Sequence, residues 1–159
     1  MKYLPFLLFV FVLLSSCEKE SYSYKATSEA PERGLSYTDT LRFEMDVQDT
    51  VKFHKLVLDV NYKDVYPYQN MYVKIITEKP NDNPIEQVIS LQLAEESGKW
   101  IGECNNGECV TSISLKEKVR FDKLGLHTFK FVQNTRREVV DEVLSMTLKL
   151  QDVIELVEK

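Results

Sequence analysis

Histidine and glycine are scarce in this chain of 159 residues, which contains two histidines and five dispersed glycines. No G-x-G-x-x-G, P-loop or G-x-S-x-G sequence is present, so the chain predicts neither a phosphate-binding loop nor a serine nucleophile elbow. His54 and His127, with the cysteines, match no standard zinc spacing. We therefore predict a protein that is not an enzyme and needs no metal or cofactor. A hydrolase remains as an alternative, because a sequence cannot reveal a catalytic cleft.

Basic residues are also fewer than acidic residues in this chain. The chain has 20 lysines and arginines against 25 aspartates and glutamates, which gives a formal net charge of −5. Proteins that bind nucleic acid neutralise phosphates with a basic surface. We therefore expect no nucleic-acid partner.

Long apolar runs are limited to one segment near the start of the chain, Tyr3 to Leu14. A transmembrane helix needs about 20 apolar residues, so this run is too short to span a bilayer and suits the core of a signal peptide. It ends in Leu14-Ser15-Ser16-Cys17, the pattern of a bacterial lipobox. The sequence predicts a lipoprotein signal peptide over residues 1–16 and lipidation of Cys17 with palmitate-type acyl chains, which make the membrane a partner. The alternative is an ordinary signal peptide with a coincidental cysteine.

The segment after Cys17 is rich in serine, glutamate, lysine and alanine and shows no sustained periodicity. We predict that residues 17–36 are the lipidated cysteine and a flexible tether, followed by one folded domain over residues 37–159. The residue directly after Cys17 is not aspartate, so a familiar signal for retention in the inner membrane is missing. This favours the outer membrane, on either its periplasmic face or the cell surface.

From Thr40 onward, apolar and polar residues alternate, which is typical of half-buried antiparallel strands. Turn-forming clusters such as Pro80-Asn81-Asp82-Asn83-Pro84 separate the strand-like runs. We predict an all-β antiparallel sandwich, Ig-like or jelly-roll-like, with at most one short helix, at Arg136 to Leu144. The alternating apolar positions are Leu41, Phe43, Met45 and Val47; Leu56, Leu58, Val60 and Tyr62; Met71, Val73 and Ile75; Ile89, Leu91 and Leu93; Phe129 and Phe131; and Met146, Leu148 and Leu150.

Cys104 and Cys109 enclose Asn105-Asn106-Gly107-Glu108, and strand-like residues flank both cysteines. A four-residue loop with glycine closes a hairpin well and can bring two cysteines at its mouth to disulfide distance. Export to an oxidising compartment permits the bond. We predict a Cys104–Cys109 disulfide.

Tyrosines are concentrated between Tyr62 and Tyr72, around a proline that must lie in a turn or at a sheet edge. Such residues either cover the end of the sandwich or form a recognition surface, because tyrosine offers apolar area with a polar tip. The candidate partner-binding residues are Tyr66, Tyr68, Asn70, Tyr72, Trp100 and Arg136.

The order of five motifs resembles the GldH family of gliding-motility lipoproteins from Bacteroidetes. After the lipobox come Tyr66-Pro67-Tyr68-Gln69-Asn70-Met71-Tyr72, Gly98-Lys99-Trp100-Ile101-Gly102, Lys118-Val119-Arg120-Phe121 and Phe131-Val132-Gln133-Asn134-Thr135-Arg136. The resemblance covers about Asp39 to Leu150. Two departures are the cysteine pair, where a glycine-rich loop is expected, and Leu144 to Leu148, which lack a glycine.

The resemblance implies a non-enzymatic, envelope-anchored protein that helps to assemble or stabilise the gliding and type IX secretion machinery. Its partners would be other envelope lipoproteins or proteins of that apparatus. The alternative function is a surface lipoprotein that binds carbohydrate or another ligand through the Tyr66–Tyr72 region.

Overall fold

A computed structural model describes residues 22–153. The described part is all-β and contains no helix, so none of its segments is a helix that could span a membrane. The predicted residues 1–16 and Cys17 lie outside the described residues. The strands are β1 Tyr22–Glu29, β2 Leu35–Ser36, β3 Leu41–Val47, β4 His54–Lys63, β5 Asn70–Glu78, β6 Ile85–Gln92, β7 Glu103–Asn105, β8 Glu108–Val119, β9 Gly125–Gln133, β10 Val139–Val140 and β11 Val143–Asp152.

The strands form two main antiparallel sheets that pack face to face, which confirms the predicted β-sandwich. One sheet has the order β1-β11-β4-β8-β7, and the other has the order β3-β9-β5-β6. A small pair, β10-β2, lies beside them. The edge strands β1 and β3 lie against each other and close one side of the sandwich.

Alternation of apolar and polar residues sets which face of each strand enters the core. In β3, the apolar residues from Leu41 to Val47 are buried and the intervening charged residues are exposed. The same period of two holds through most of β4 and the middle of β11, whose registers align Met146, Leu148 and Leu150 with Val60, Leu58 and Leu56. The most deeply buried apolar side chains are Leu35, Leu41, Phe43, Leu58, Val60, Tyr62, Met71, Val73, Leu91, Leu93, Ala94, Cys109, Phe131, Val140, Val143, Met146 and Leu148.

The antiparallel registers give the sandwich two distinct ends. The proximal end contains the start of β1 at Tyr22 and the loops of residues 48–53, 79–84 and 120–124. The distal end contains the loops of residues 64–69, 93–102 and 134–138 and the β7–β8 turn. The first described residue therefore lies at the opposite end from the predicted tyrosine cluster.

Two expectations are wrong in the described range. Residues 22–29 are not a tether, because they form β1 and pair with β11 from Tyr22 to Glu29, and Leu35–Ser36 forms β2. The folded domain therefore begins at least 15 residues earlier than predicted, at Tyr22. Residues 136–144 are not a helix, because Val139 and Val140 pair with β2 and Val143 begins β11.

Removal of β1 should destabilise the domain, because the half-buried Tyr24 and Ala26 lie beside the inner face of β11 and pack against the core. A chain that begins at Ala30 is expected to lose about 3 kcal/mol or more of unfolding free energy relative to a chain that begins at Tyr22. Urea titration followed by circular dichroism measures the difference. Equal urea midpoints for the two chains would show that β1 adds no stability and would favour the predicted tether.

Candidate partner-binding surface

The tyrosines of the distal end divide into core residues and surface residues. Tyr62 and Tyr66 are buried, at 0% and 3% exposure, whereas Tyr68 and Tyr72 are exposed at 49% and 47%. The rings form a chain of edge contacts: Tyr62 meets Tyr66 at 6.2 Å between centroids, and Tyr66 meets Tyr68 at 5.7 Å. Burial therefore makes Tyr66 a support beneath Tyr68 rather than a contact surface.

Hydrogen bonds hold the two buried tyrosines in place. The Tyr62 hydroxyl lies 2.9 Å from the Thr111 hydroxyl, and the Tyr66 hydroxyl donates to the Asn70 carbonyl oxygen at 3.1 Å. Burial, reinforced by the Glu142 carboxylate, raises the pKa of Tyr66 to about 12. The Tyr66 phenol therefore stays protonated and keeps this donor role throughout the physiological pH range.

Trp100 packs on the same cluster from the β6–β7 connection. Its ring lies 5.2 Å from that of Tyr62, and the neighbouring Ala94 forms a bridge with Trp100. Gly102 allows the chain to pass close to β8, since a Cβ there would lie 2.1 Å from the Val110 carbonyl oxygen. The glycine at the end of the Gly98-to-Gly102 motif is thus needed for close backbone approach.

The β7–β8 hairpin flanks this cluster. Its turn is two residues long, since Asn106 and Gly107 both have positive φ (51° and 85°), as a type I′ turn requires. The predicted four-residue loop is therefore tighter in the structure, with Cys104 and Cys109 directly opposite each other and joined by the predicted disulfide. The Asp64 N–H donates to the Gly107 carbonyl oxygen at 2.9 Å and ties the hairpin to the β4–β5 loop.

Polar contacts order the loop of residues 134–138 on the other side of the distal end. The buried Gln133 amide donates to the carbonyl oxygens of Arg137 and Glu138. Arg137 donates to both Glu142 carboxylate oxygens at 2.7 and 2.8 Å. Arg136, the residue chosen from the sequence, is exposed. Of the two arginines, Arg137 has the structural role.

A second ion pair fixes the corner that carries β2. Arg33 donates two hydrogen bonds to Asp39, at 2.7 and 2.6 Å, and Ser36 donates to Asp39 through its backbone N–H and its hydroxyl. These donors, with Arg33 first, hold the pKa of the Asp39 carboxyl well below its usual range. The corner presents Tyr37, which is exposed and donates to the Thr135 carbonyl oxygen at 2.8 Å.

The distal end therefore carries a set of exposed apolar side chains on ordered supports. We call this set the distal surface; it includes two predicted residues, Tyr68 and Tyr72, and adds three others. Sequence reasoning missed the added residues because the local sequence does not distinguish an exposed apolar loop residue from a buried one. The members are Tyr37, Val65, Tyr68, Tyr72 and Ile101.

Among the described residues, neither histidine is hydrogen-bonded to a serine, threonine or cysteine side chain. His54 is buried, with Nδ1 at 3.0 Å from an Asp152 carboxylate oxygen, and His127 lies on β9 inside the proximal end. Within residues 22–153, no group of three or more His, Cys, Asp or Glu side chains could hold a metal ion. His127 does line a cavity between the sheets that sequence patterns did not reveal.

Comparison with known proteins identifies the family. The family model for the GldH lipoprotein matches residues 22–150, which span nearly all of the described sandwich. The chain belongs to the GldH lipoprotein family. Membership confirms the resemblance seen in the motifs, and it places the protein among lipid-anchored proteins of the cell envelope.

Two relatives of this GldH-family chain carry the same description. A gliding motility lipoprotein GldH homolog from Christiangramia forsetii is 24% identical over 132 residues, which cover 82% of this chain and 78% of the relative. Gliding motility lipoprotein GldH from Flavobacterium johnsoniae is 25% identical over 117 residues, which cover 72% of this chain and 71% of the relative. The chain is thus similar to gliding-motility lipoproteins over most of its length.

Solved structures with some likeness to this GldH-family sandwich include two carbohydrate-related proteins. CBM35 from Cellvibrio japonicus Abf62 has a TM-score of 0.39 and 10% identity, with coverage of 79% of this chain and 92% of that one. The family GH115 glucuronidase BtGH115A has a TM-score of 0.41 and 12% identity, and the likeness covers 86% of this chain but 18% of the enzyme. Likeness at this level has no bearing on function.

The disulfide should stabilise the hairpin through the entropy of the unfolded chain. By the loop-closure relation, replacement of both Cys104 and Cys109 by serine is expected to cost about 2 kcal/mol of unfolding free energy. Urea titration of the double variant measures this cost, and intact mass after alkylation, with and without prior reduction, verifies the bond in the parent. Free thiols in the non-reduced parent would contradict the disulfide.

The Asp39 ion pair should make stability depend on acid pH. Because the folded-state pKa of Asp39 is lowered, its contribution is fully present above the unfolded value of about 3.9 and is lost as the pH falls through the folded value. Asp39→Asn should therefore lower the urea midpoint near neutral pH, and the gap from the parent should shrink below about pH 4. Asp46→Asn, at an exposed carboxylate of β3, is the matched control. A gap for Asp39→Asn that is independent of pH would contradict this assignment.

Proposed function

We propose that this protein is anchored to the outer membrane through lipid on Cys17 and helps to assemble or stabilise the gliding and type IX secretion machinery. Its action is non-enzymatic: the sandwich presents the distal surface to another envelope lipoprotein or to a protein of the apparatus. Membership of a family of gliding-motility lipoproteins supports the setting. The position of the distal surface, at the end of the sandwich opposite Tyr22, supports the proposed contact with a partner.

The observation that carries this proposal is the placement of Tyr22 opposite the distal surface. Tyr22 is five residue steps from Cys17 and lies at the proximal end. An extended chain advances at most about 3.6 Å per residue, so the proximal end is held within about 18 Å of the lipidated residue. In this proposal Tyr68 and Ile101 lie at the end of the sandwich farther from the anchor and contact the partner there.

The distal surface has the composition of a protein-binding site more than that of a sugar-binding platform. Aromatic residues are enriched where proteins associate, and rigid supports reduce the entropy lost on binding. A sugar platform over the Tyr66–Tyr72 region would have to use Tyr68 and Tyr72 alone, because Tyr66 is buried. The observations therefore favour a protein partner over carbohydrate.

Lipidation at Cys17 is expected to decide the location of the protein. Cys17→Ala should give a precursor that is released in soluble form and takes up no fatty-acid label, since the thiol that accepts the lipid is absent. Membrane fractionation and labelling with an alkyne fatty acid measure both effects. Label on the Cys17→Ala chain would contradict lipidation at this residue.

The distal surface is expected to contain the residues that hold the partner. Combined Tyr68→Ala and Ile101→Ala should reduce capture of envelope proteins in a crosslinked pull-down from membranes by at least about tenfold. Leu126→Ala, at an exposed leucine of the proximal end, should leave capture unchanged.

Bacterial strains that carry these variants distinguish a binding defect from a folding defect. The double variant should accumulate to parental levels, yet partner levels, secretion and spreading should fall as in a deletion strain. Normal partner levels, secretion and spreading in the deletion strain would exclude a role in assembly.

A further inference from the structure

An apolar cavity lies between the two sheets at the proximal end. Strands β6 and β8 line the cavity. It lies at the edge of the sandwich opposite to the edge that β1 and β3 close. Its volume is about 410 Å³, which lies within the range of about 300–1,000 Å³ typical of small-ligand sites. Ile75 and Ile89 from one sheet face Leu115 and Val119 from the other across it.

A buried polar atom lacks a partner at this cavity. His127 lines the cavity and is 1% exposed. Its Nδ1 lies 3.1 Å from the Gly125 carbonyl oxygen, which accepts the Nδ1 proton, so Nε2 is left as an acceptor. Among the described residues, Nε2 has no hydrogen-bond partner. Buried polar atoms are nearly always satisfied, so this atom indicates a donor supplied by a ligand.

Cationic side chains share the cavity wall with the apolar ones. Lys79, Lys116 and Arg120 contribute to the lining. Lys79 is 2.9 Å from an Asp122 carboxylate oxygen, and Arg120 lies over the Phe53 ring at 5.4 Å. A lining of branched aliphatic residues with a few polar groups suits a molecule that has a long apolar body and one polar end.

The position of the cavity agrees with such a ligand. The cavity is at the same end of the sandwich as Tyr22, which the proposed lipidation of Cys17 keeps near the membrane. This one step depends on the proposed anchor, whereas the cavity and His127 do not. Acyl chains are the most abundant apolar molecules at that surface.

We propose that this cavity binds one aliphatic chain of an amphiphile of the fatty-acyl class. The chain lies between Ile89 and Leu115. A hydroxyl or an amide N–H at the polar end donates a hydrogen bond to His127 Nε2. The chain belongs either to the protein's own lipidated cysteine or to a separate membrane lipid.

The first experiment measures binding of octanol, decanol and dodecanol to the full mature chain with Cys17→Ala, by titration calorimetry. Each added methylene should tighten binding by about fourfold until the cavity is filled. Ile89→Trp fills the cavity and should weaken dodecanol binding by at least about tenfold. Val88→Trp, the next residue along β6, is the control because Val88 is exposed on the opposite face of the strand.

The second experiment tests the role of His127. Dodecanol should bind about tenfold more tightly than its methyl ether, which has no donor for Nε2. His127→Phe keeps a ring against Phe121, which the histidine contacts at 5.1 Å, and removes the acceptor. The variant should lose the preference for the alcohol while it still binds the ether. Urea titration of each variant checks that the fold is retained.

A comparison of the lipidated parent protein with the Cys17→Ala protein identifies the source of the bound acyl chain. Alcohol binding that appears only in the Cys17→Ala chain assigns the cavity to the protein's own acyl chain. Equal binding in both forms assigns it to a separate lipid, and either result supports the proposal.

Three outcomes would overturn it. They are the absence of alcohol binding to the Cys17→Ala chain, equal losses from the two tryptophan variants, and capture of an extended peptide between β6 and β8 that the alcohols do not displace. Failure of lipidation at Cys17 would leave the cavity measurements unaffected, because they use the unlipidated chain.

Discussion

Burial of the inner face of β4 against the opposite sheet is the interaction on which the other features depend. Leu58, Val60 and Tyr62 are fully buried and lie at the centre of a five-stranded sheet, with β11 on one side and β8 on the other. Their removal from water supplies the main driving force for closing the sandwich. Tyr62 also reaches the distal end, where its ring and hydroxyl support the tyrosines and Trp100. One strand thus connects the stability of the core to the shape of the candidate binding surface.

The alternation of apolar and polar residues predicted the central strands well, because one face of each strand is buried and the other faces solvent. It failed at β1, where Tyr22, Tyr24 and Ala26 alternate with polar residues in a segment whose composition is that of a linker. Only the pairing with β11 reveals that strand, and such pairing is a long-range contact that local pattern does not encode. The helix predicted at Arg136 to Leu144 is wrong for a related reason, because it depends on the valines at 139, 140 and 143. Their spacing suits a helix, but β2 offers Val139 and Val140 a pairing partner.

The candidate site was predicted in part. Composition indicated the tyrosine cluster and the disulfide, yet it could not distinguish Tyr66, which is buried, from Tyr68, which is exposed. That difference arises in the β4–β5 loop, which turns at Asp64 and Val65 and leaves Tyr66 buried and Tyr68 exposed. The cavity beside His127 was not predictable, since Ile89 and Leu115 belong to different sheets and meet only in the assembled sandwich. A histidine on an apolar strand looks like an ordinary core residue until its unpartnered nitrogen is located.

The pairing of β1 with β11 also determines how the domain responds to mechanical load. A pull on the Tyr22 end of β1, against a partner held at the opposite end, acts along the strand direction. Interstrand hydrogen bonds of an antiparallel ladder lie across that direction. The force is therefore shared by the bonds from Tyr22 to Glu29 together, and they must shear as a set instead of opening one after another. A domain that begins with a paired strand is thus better suited to transmit tension than one suspended from a loose linker.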